Sequence, residues 1–240
     1  PVLLRCLQLL GSTAPRLARP PHRVPLGLLL LSRGDLSEDQ LQIALEAQHA
    51  GPAHKIGEWL QLLQFATEQQ VLIALGLQWA MPLLSSPQSG RPGVARFLPA
   101  VLRRDLGLVP VRFLESTREL YVATSEKVDY TILTELEHML DCRILPCLVS
   151  ERVMSSWLAA DRDVQDDVAQ HFDRCTNPSE MARIICSYSA RLDCEDLRMA
   201  HCGSHIWVRL AHRQGAAHLL FRLPEVSADP PVSPLLRAAV

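Results

Sequence analysis

The densest group of side chains with ligand chemistry lies near the end of the chain. Its members are cysteines and histidines: Cys194, His201, Cys202, His205 and His212. Zinc sites usually present close ligand pairs, roughly two to four residues apart, on rigid turns. Cys194 and Cys202 are eight residues apart, and the segment around them alternates like a hairpin. We therefore predict turn histidines and small core cysteines here, and no metal.

Sequence motifs for catalysis are missing. The chain contains no G-x-x-x-x-G-K-[ST] loop and no G-x-S-x-G, H-E-x-x-H or G-x-G-x-x-G pattern. Because an ATPase needs the first of these to cradle phosphates, this chain cannot be an ATPase by itself. We predict a binding protein and not an enzyme, with no catalytic residue and no cofactor.

A second set of residues recurs with a period of 30. Residues 25–48 align with residues 55–78 without a gap, which places Gly27 opposite Gly57 and a glutamine at the end of each copy. Glycine lets backbone N–H groups come close to a phosphate, and glutamine offers both donors and acceptors. Two equivalent copies suit a ligand that has two equivalent halves.

Helices are expected to position these residues. Each copy has the pattern of a short helix, a turn and a longer helix, and Ser37 and Thr67 are natural N-caps for the longer helices. Leu41 and Leu45 lie four residues apart and define an apolar stripe, while the Gly-Pro pair at 51–52 breaks the chain between the copies. The pattern predicts a tandem-repeat module of four helices.

The two copies resemble the 24-residue motif of the MshE-type N-terminal domain, the cyclic-di-GMP-binding domain of bacterial secretion and pilus ATPases. That motif reads Arg-Leu-Gly, a leucine three residues on, and then Gly, Leu, Leu and Gln. The resemblance implies that leucines contact the guanine bases and that the glutamines hydrogen-bond the nucleotide. The ligand-binding residues implied by it are Leu26, Gly27, Leu30, Leu41, Leu45, Gln48, Lys55, Ile56, Gly57, Leu60, Val71, Leu75 and Gln78.

The sequence departs from this motif at two positions. The arginine that contacts the nucleotide in the family is Pro25 in copy one and Lys55 in copy two, and the glycine at 34 becomes Gln64 in copy two. Proline has no charge, and lysine lacks the planar fork of arginine. Losing one charged hydrogen bond costs about 1.5 to 3 kcal/mol. Arg23, two residues upstream of Pro25, is a candidate substitute.

Three functions therefore stay open. The first is a regulatory module that senses cyclic-di-GMP for a secretion, pilus or envelope-polysaccharide machine. The second is a ligand-free protein-interaction module that docks to a secretion or pilus motor. The third is the N-terminal fragment of a full ATPase whose motor lies downstream.

Composition and the positions of proline and glycine divide the chain into seven predicted segments of an α+β protein. They are a disordered basic extension (1–24), the tandem repeats (25–80), a linker (81–96), an α+β domain (97–160), an acidic linker (161–178), a helix plus β-hairpin region (179–223) and a disordered tail (224–240). We expect residues 161–173 to be mostly solvated helix. The α+β segment resembles the remainder of the type II secretion ATPase N-terminal domain.

Net charge, apolar runs and cysteine content limit the partners and the location that we expect for this chain. A formal net charge of -2 gives no electrostatic reason to expect nucleic acid or an anionic membrane as a partner. No apolar run approaches the roughly 20 residues that span a bilayer, so we expect no membrane insertion. The seven cysteines are an odd number without a C-x-x-C pair, which favours reduced thiols and a cytoplasmic location in bacteria.

Overall fold

The computed structural model describes residues 23–52, 54–84, 94, 97–160, 169–175 and 177–223. The predicted tail at 224–240 and nearly all of the predicted extension at 1–24 lie outside these residues. Helices and strands both contribute, so the fold is α+β as predicted. In chain order its elements are α1 (Leu26–Ser32), α2 (Glu38–Ala50), α3 (Ile56–Leu62), α4 (Glu68–Trp79), α5 (Ala100–Leu106), β1 (Val109–Leu114), β2 (Glu119–Thr124), α6 (Tyr130–Leu140), β3 (Arg143–Leu148), α7 (Glu151–Ala160), β4 (Ala169–Phe172), α8 (Pro178–Leu192), β5 (Asp196–Cys202), β6 (His205–His212) and β7 (Gly215–Arg222).

The longer helices of the two copies begin at equivalent capping boxes. The amide of Gln40 donates to Ser37 Oγ at 3.3 Å, and the Ser37 amide donates back to Gln40 Oε1 at 3.0 Å. Thr67 and Gln70 repeat this exchange at 3.2 and 2.8 Å. Each pair satisfies two N–H groups that a helix start leaves unpaired. The two N-caps predicted from the sequence are confirmed.

Packing in the helical module runs between the copies. The short helix α1 of copy one packs mainly on α4 of copy two, and α3 of copy two packs on α2 of copy one. The module's core holds equivalent pairs: Leu30 with Leu60, and Ala44 with Ala74, all with 0% exposure. Since most helix contacts run between the copies, their pairing contributes much of the burial that stabilises the module.

A three-stranded sheet follows, in the order β1-β2-β3. Strand β1 is antiparallel to β2, and β2 is parallel to β3, with α6 as the crossover between them. All three strands lie within the segment 97–160, for which the sequence predicts an α+β domain. Leu83, in the predicted linker, forms a parallel bridge to Leu148. The sheet therefore extends into residues predicted as linker.

The C-terminal region contains a helix, α8, and the β5–β6 hairpin, and its sheet has two further strands in the order β4-β7-β6-β5. Residues 169–172, predicted as solvated helix, form β4, which pairs in parallel with β7. A four-residue strand shows too little periodicity to be recognised, and its pairing partner lies far along the chain. The non-local ladder, which the sequence does not reveal, decides its structure.

Alternate residues of β6 serve two cores. Ile206 and Val208 face α8 and pack with Met181 and Ile185, while Trp207 points to the opposite face. This is the two-residue period of a strand that is buried on both faces. The C-terminal sheet is therefore covered on one side by α8 and on the other by the middle of the protein.

One core joins the three parts of the chain. Leu136 and Met139 of α6 lie between the three-stranded sheet and the C-terminal sheet, where Trp207 is fully buried. Leu75 and Trp79 of α4 pack against the same cluster from the helical module. Among the described residues, no helix combines the length and the apolar character needed to cross a membrane.

The turn between the helices of copy two contains a strained residue, and we predict that it can be improved. Gln64 has φ +58°, where the equivalent residue of copy one is Gly34 with φ +74°. Because side chains crowd the backbone in this conformation, Gln64→Gly should raise the free energy of unfolding by about 0.5 to 1 kcal/mol in urea denaturation.

Gly34→Ala is the matched control for Gln64→Gly. An added Cβ at Gly34 meets nothing within 4 Å, so its only cost is the left-handed backbone. It should lower stability by about 1 kcal/mol. Equal stability of all three proteins would contradict the assignment of strain to this turn.

Candidate ligand-binding site

The two motif glutamines hold the copies together. Gln48 Nε2 donates to the carbonyl of His54 at 2.9 Å, and Gln78 Nε2 donates to the carbonyl of Val24 at 2.7 Å. Each acceptor lies two residues before the short helix of the opposite copy, so the two bonds are equivalent. The structure therefore gives the glutamine amides a structural partner, whereas the motif resemblance implied a nucleotide.

The two motif glycines are sites of close helix packing. A Cβ at Gly27 would lie 2.5 Å from Leu41 Cδ1, and a Cβ at Gly57 would lie 3.0 Å from Val71 Cγ1. Both contacts are shorter than, or at the limit of, what a real Cβ tolerates, so each short helix approaches its neighbour through a glycine. Packing alone accounts for glycine at these positions.

A cleft of about 780 Å³ lies between copy two and the three-stranded sheet. Seven of the residues implied by the motif line it: Leu26, Lys55, Ile56, Gly57, Val71, Leu75 and Gln78. Of these, all but Leu26 belong to copy two. The structure brings them together because α1 packs on α4, which puts Leu26 beside the second copy.

The other implied residues lie elsewhere. Leu30 and Leu60 are fully buried in the helical core, and Leu45 is 40% exposed outside the cleft. Gly27, Leu41 and Gln48 also do not line it. Among the repeat residues, the cleft is therefore lined mainly by copy two, and it does not present the two copies as equivalent halves.

The opposite wall of the cleft comes from residues that the repeat does not reveal. Ser125 to Lys127 follow β2, and Val149 to Arg152 follow β3. Thr124 pairs with Leu148 in the parallel ladder, so both loops leave the sheet at the same edge. A strand-helix-strand pattern in the sequence predicts this parallel pair, and ligands often bind at the carboxyl ends of such strands. That signal could have identified this wall.

Lys55 spans the cleft between its two walls. Its Nζ lies 2.7 Å from Glu126 Oε1, and the two side chains are 74% and 71% exposed. The hydrogen bond to Glu126 raises the pKa of the Lys55 ammonium above its usual range. The lysine that replaces the family's arginine is thus charged and already paired.

The charges around the cleft are mixed. Two lysines and an arginine face four glutamates: Lys55, Lys127, Arg152, Glu58, Glu68, Glu126 and Glu151. The floor is apolar and includes Ile56, Val71 and Leu75. Arg23, the candidate substitute for the missing arginine, does not line the cleft, and its Nη1 is buried without a hydrogen-bond partner among the described residues.

The cysteine and histidine group near the end of the chain is dispersed. Cys202 is fully buried in the shared core, and burial raises the pKa of its thiol to about 12. Cys194 Sγ donates instead to the carbonyl of Asp196 at 3.1 Å. In the part of the chain that the structure describes, no three His, Cys, Asp or Glu side chains converge as metal ligands.

The chain is similar to the N-terminal domains of secretion and pilus ATPases, as its repeat predicts. No protein-family model and no curated protein matches the sequence. Among solved structures, MshE with cyclic-di-GMP is 26% identical, with a TM-score of 0.48 over 57% of this chain and 99% of that one. Two crystal forms of the XpsE N-terminal domain follow at 15% and 16% identity, covering 56% and 54% of this chain, 91% and 89% of theirs, with TM-scores of 0.39 and 0.33. With scores this low, the evidence for a ligand must come from the cleft itself.

The reciprocal glutamine bonds yield a stability prediction. Replacing Gln78 with methionine keeps the length of the side chain but leaves the Val24 carbonyl without its donor. We expect Gln78→Met and the equivalent Gln48→Met each to lower the free energy of unfolding by about 1 kcal/mol.

Gln42→Met is the matched control for these two variants. Gln42 lies on α2, and its amide donates only to Glu46 one turn away, at 3.2 Å. It should cost less than either motif glutamine in the same denaturation experiment. If Gln78→Met is as harmless as Gln42→Met, the bond to Val24 does not stabilise the paired copies.

Proposed function

We propose that this chain is a non-catalytic regulatory module of the secretion and pilus ATPase type, and that its cleft binds cyclic-di-GMP. The observation that carries the proposal is the convergence of seven motif residues on one concave surface. The volume of about 780 Å³ falls within the range of roughly 300 to 1,000 Å³ that is usual for ligand pockets. A dinucleotide fits a site of this size.

The cleft offers suitable chemistry for a guanine base. Ile56, Val71 and Leu75 form an apolar surface on which a flat base can lie. Gln78 uses its Nε2 on Val24, which leaves Oε1 to accept a hydrogen bond. Guanine presents N–H donors on its Watson–Crick edge, so this acceptor suits it.

Lysine and arginine side chains on both walls are available for the phosphates. Lys55 must leave Glu126 to bind one, and the cost of doing so is small. An exposed ion pair such as this one contributes about 0 to 1 kcal/mol. A phosphate can therefore replace Glu126 at small cost, and the exchange breaks a contact between the helical module and the three-stranded sheet.

Breaking this contact is how we propose that the ligand signals. Lys55 and Glu126 belong to opposite walls, so occupation of the cleft changes the connection between them. The partner that we propose is a protein of a secretion, pilus or envelope-polysaccharide machine in the bacterial cytoplasm. The module would report cyclic-di-GMP to that partner.

Isothermal titration with cyclic-di-GMP tests the site through two opposite substitutions. Lys55→Ala should weaken binding about tenfold because it removes a charged hydrogen bond to phosphate. Glu126→Gln should instead tighten binding, because it frees Lys55 and removes a negative charge. Lys55→Arg should also tighten it, since a guanidinium can bind phosphate through two hydrogen bonds.

Arg143→Ala is the matched control, because it removes one exposed positive charge at the opposite end of β3. It should leave the affinity unchanged. No heat of binding at about tens of micromolar cyclic-di-GMP would overturn nucleotide sensing. If Lys55→Ala and Glu126→Gln weaken cyclic-di-GMP binding equally, the ion pair stabilises the structure of the cleft and does not compete with the ligand.

A second candidate is a ligand-free module that docks to a secretion or pilus motor. The excess of glutamates around the cleft favours it, because four carboxylates repel a ligand that carries two phosphates. A pull-down of a secretion motor that is unaffected by cyclic-di-GMP would support this candidate. Capture that requires cyclic-di-GMP would support the first proposal.

A further inference from the structure

A second pocket lies where α5 meets the C-terminal sheet. It has a volume of about 430 Å³, and we call it the seam pocket. Charged and titratable side chains from four elements line it: Arg104 and Asp105 from α5, His171 and Asp173 from β4 and the turn after it, His205 from β6 and Arg222 from β7. It shares no lining residue with the cleft.

Asp105 is already engaged on one side of the seam pocket. His205 Nδ1 lies 3.0 Å from Asp105 Oδ2, and Ser204 Oγ donates to the same oxygen at 3.1 Å. A neutral His205 that donates from Nδ1 has Nε2 left as its acceptor, and a charged one has Nε2–H left as a donor. The Asp105 carboxylate therefore serves to hold His205, which is only 5% exposed.

Two arginines in the seam pocket have no such engagement. Arg104 and Arg222 are exposed, and their side chains make no hydrogen bond or ion pair with any residue that the structure describes. Arg104 lies on α5. Arg222 lies at the end of β7, where it pairs with His205 of β6. Guanidinium groups facing one concave space are the usual means by which proteins bind phosphate or carboxylate.

We propose that the seam pocket binds an anionic group of the phosphate type between Arg104 and Arg222. His171 and His205 add positive charge to the pocket when they are protonated. Asp105 and Asp173 oppose the anion, although the Asp105 carboxylate is engaged by His205 Nδ1 and Ser204 Oγ. A metal ion is not the ligand, because no three of the described His, Cys, Asp or Glu side chains converge.

Acidification should strengthen this binding. The groups that face His205 are Arg104 and Asp105 on α5, His171 and Asp173 on or beside β4, and Arg222 on β7. Burial lowers the pKa of His205, although Asp105 opposes this shift. Burial disfavours the protonated form of His205 in the folded protein. The free energy of unfolding therefore decreases as the pH falls below the ordinary pKa of histidine. A bound anion offsets that cost, so it stabilises the protein more at acid pH.

Sulfate is a suitable probe, because it has the shape of phosphate and keeps two negative charges over the pH range of interest. We would titrate sulfate into the full chain by calorimetry, against sodium chloride of matched ionic strength. Affinity should rise as the pH falls below about 6.5, because the lowered pKa of His205 means that it gains charge only there. Arg222→Gln and Arg104→Gln should each weaken binding about tenfold.

Two controls make the result specific to the seam pocket. Arg112→Gln removes an exposed arginine of β1 that does not line the pocket, and it should leave sulfate affinity unchanged. Binding of cyclic-di-GMP should be unaffected by Arg222→Gln, so failure of one site is distinguishable from failure of the other.

The proposal is overturned if sulfate has no effect beyond that of matched sodium chloride. It is also overturned if Arg222→Gln and Arg112→Gln weaken sulfate binding equally, because the effect would then come from net charge alone. If the parent protein does not bind sulfate and Arg222→Gln lowers thermal stability, then Arg222 stabilises the fold and does not bind a ligand. If sulfate binds as expected, competition by pyrophosphate and by GMP would show whether the natural anion is a free phosphate or part of a nucleotide.

Discussion

The shared apolar core around α6 is the constraint on which the rest of the structure depends. Leu136 and Met139 lie between two sheets, Trp207 closes the core from one side, and Leu75 and Trp79 of α4 pack on it from the other. Protein interiors are close-packed, so such a core fixes the relative position of the parts that contribute to it. The cleft and the seam pocket both lie at junctions that it holds.

The helical module has a dependence of its own. Neither copy of the repeat is complete, because each short helix packs on the long helix of the other copy and each motif glutamine bonds to the backbone of the other. The leucines and glycines of the motif are therefore required for folding before any ligand is considered. These packing roles do not involve the first position of the repeat, which is Pro25 in copy one and Lys55 in copy two.

The charges around the cleft limit which ligands it can bind. The apolar floor of the cleft suits a base, but glutamates outnumber the basic residues around it, and Lys55 is paired with Glu126. The pair is exposed and therefore weak, so a phosphate can displace it. For the function that we propose, the affinity for cyclic-di-GMP would depend on this exchange more than on the number of motif residues in the cleft.

The sequence by itself determined the local elements: the 30-residue repeat, the capping residues Ser37 and Thr67, and the strands and helices between 97 and 160. These follow from periodicity and from side chains that act within a few residues. Only the tertiary structure decided that β4 is a strand, that Leu26 joins copy two, and that Glu126 faces Lys55. The physical reason is that each of these depends on partners far apart in sequence, whose meeting is set by burial in a common core and not by local pattern.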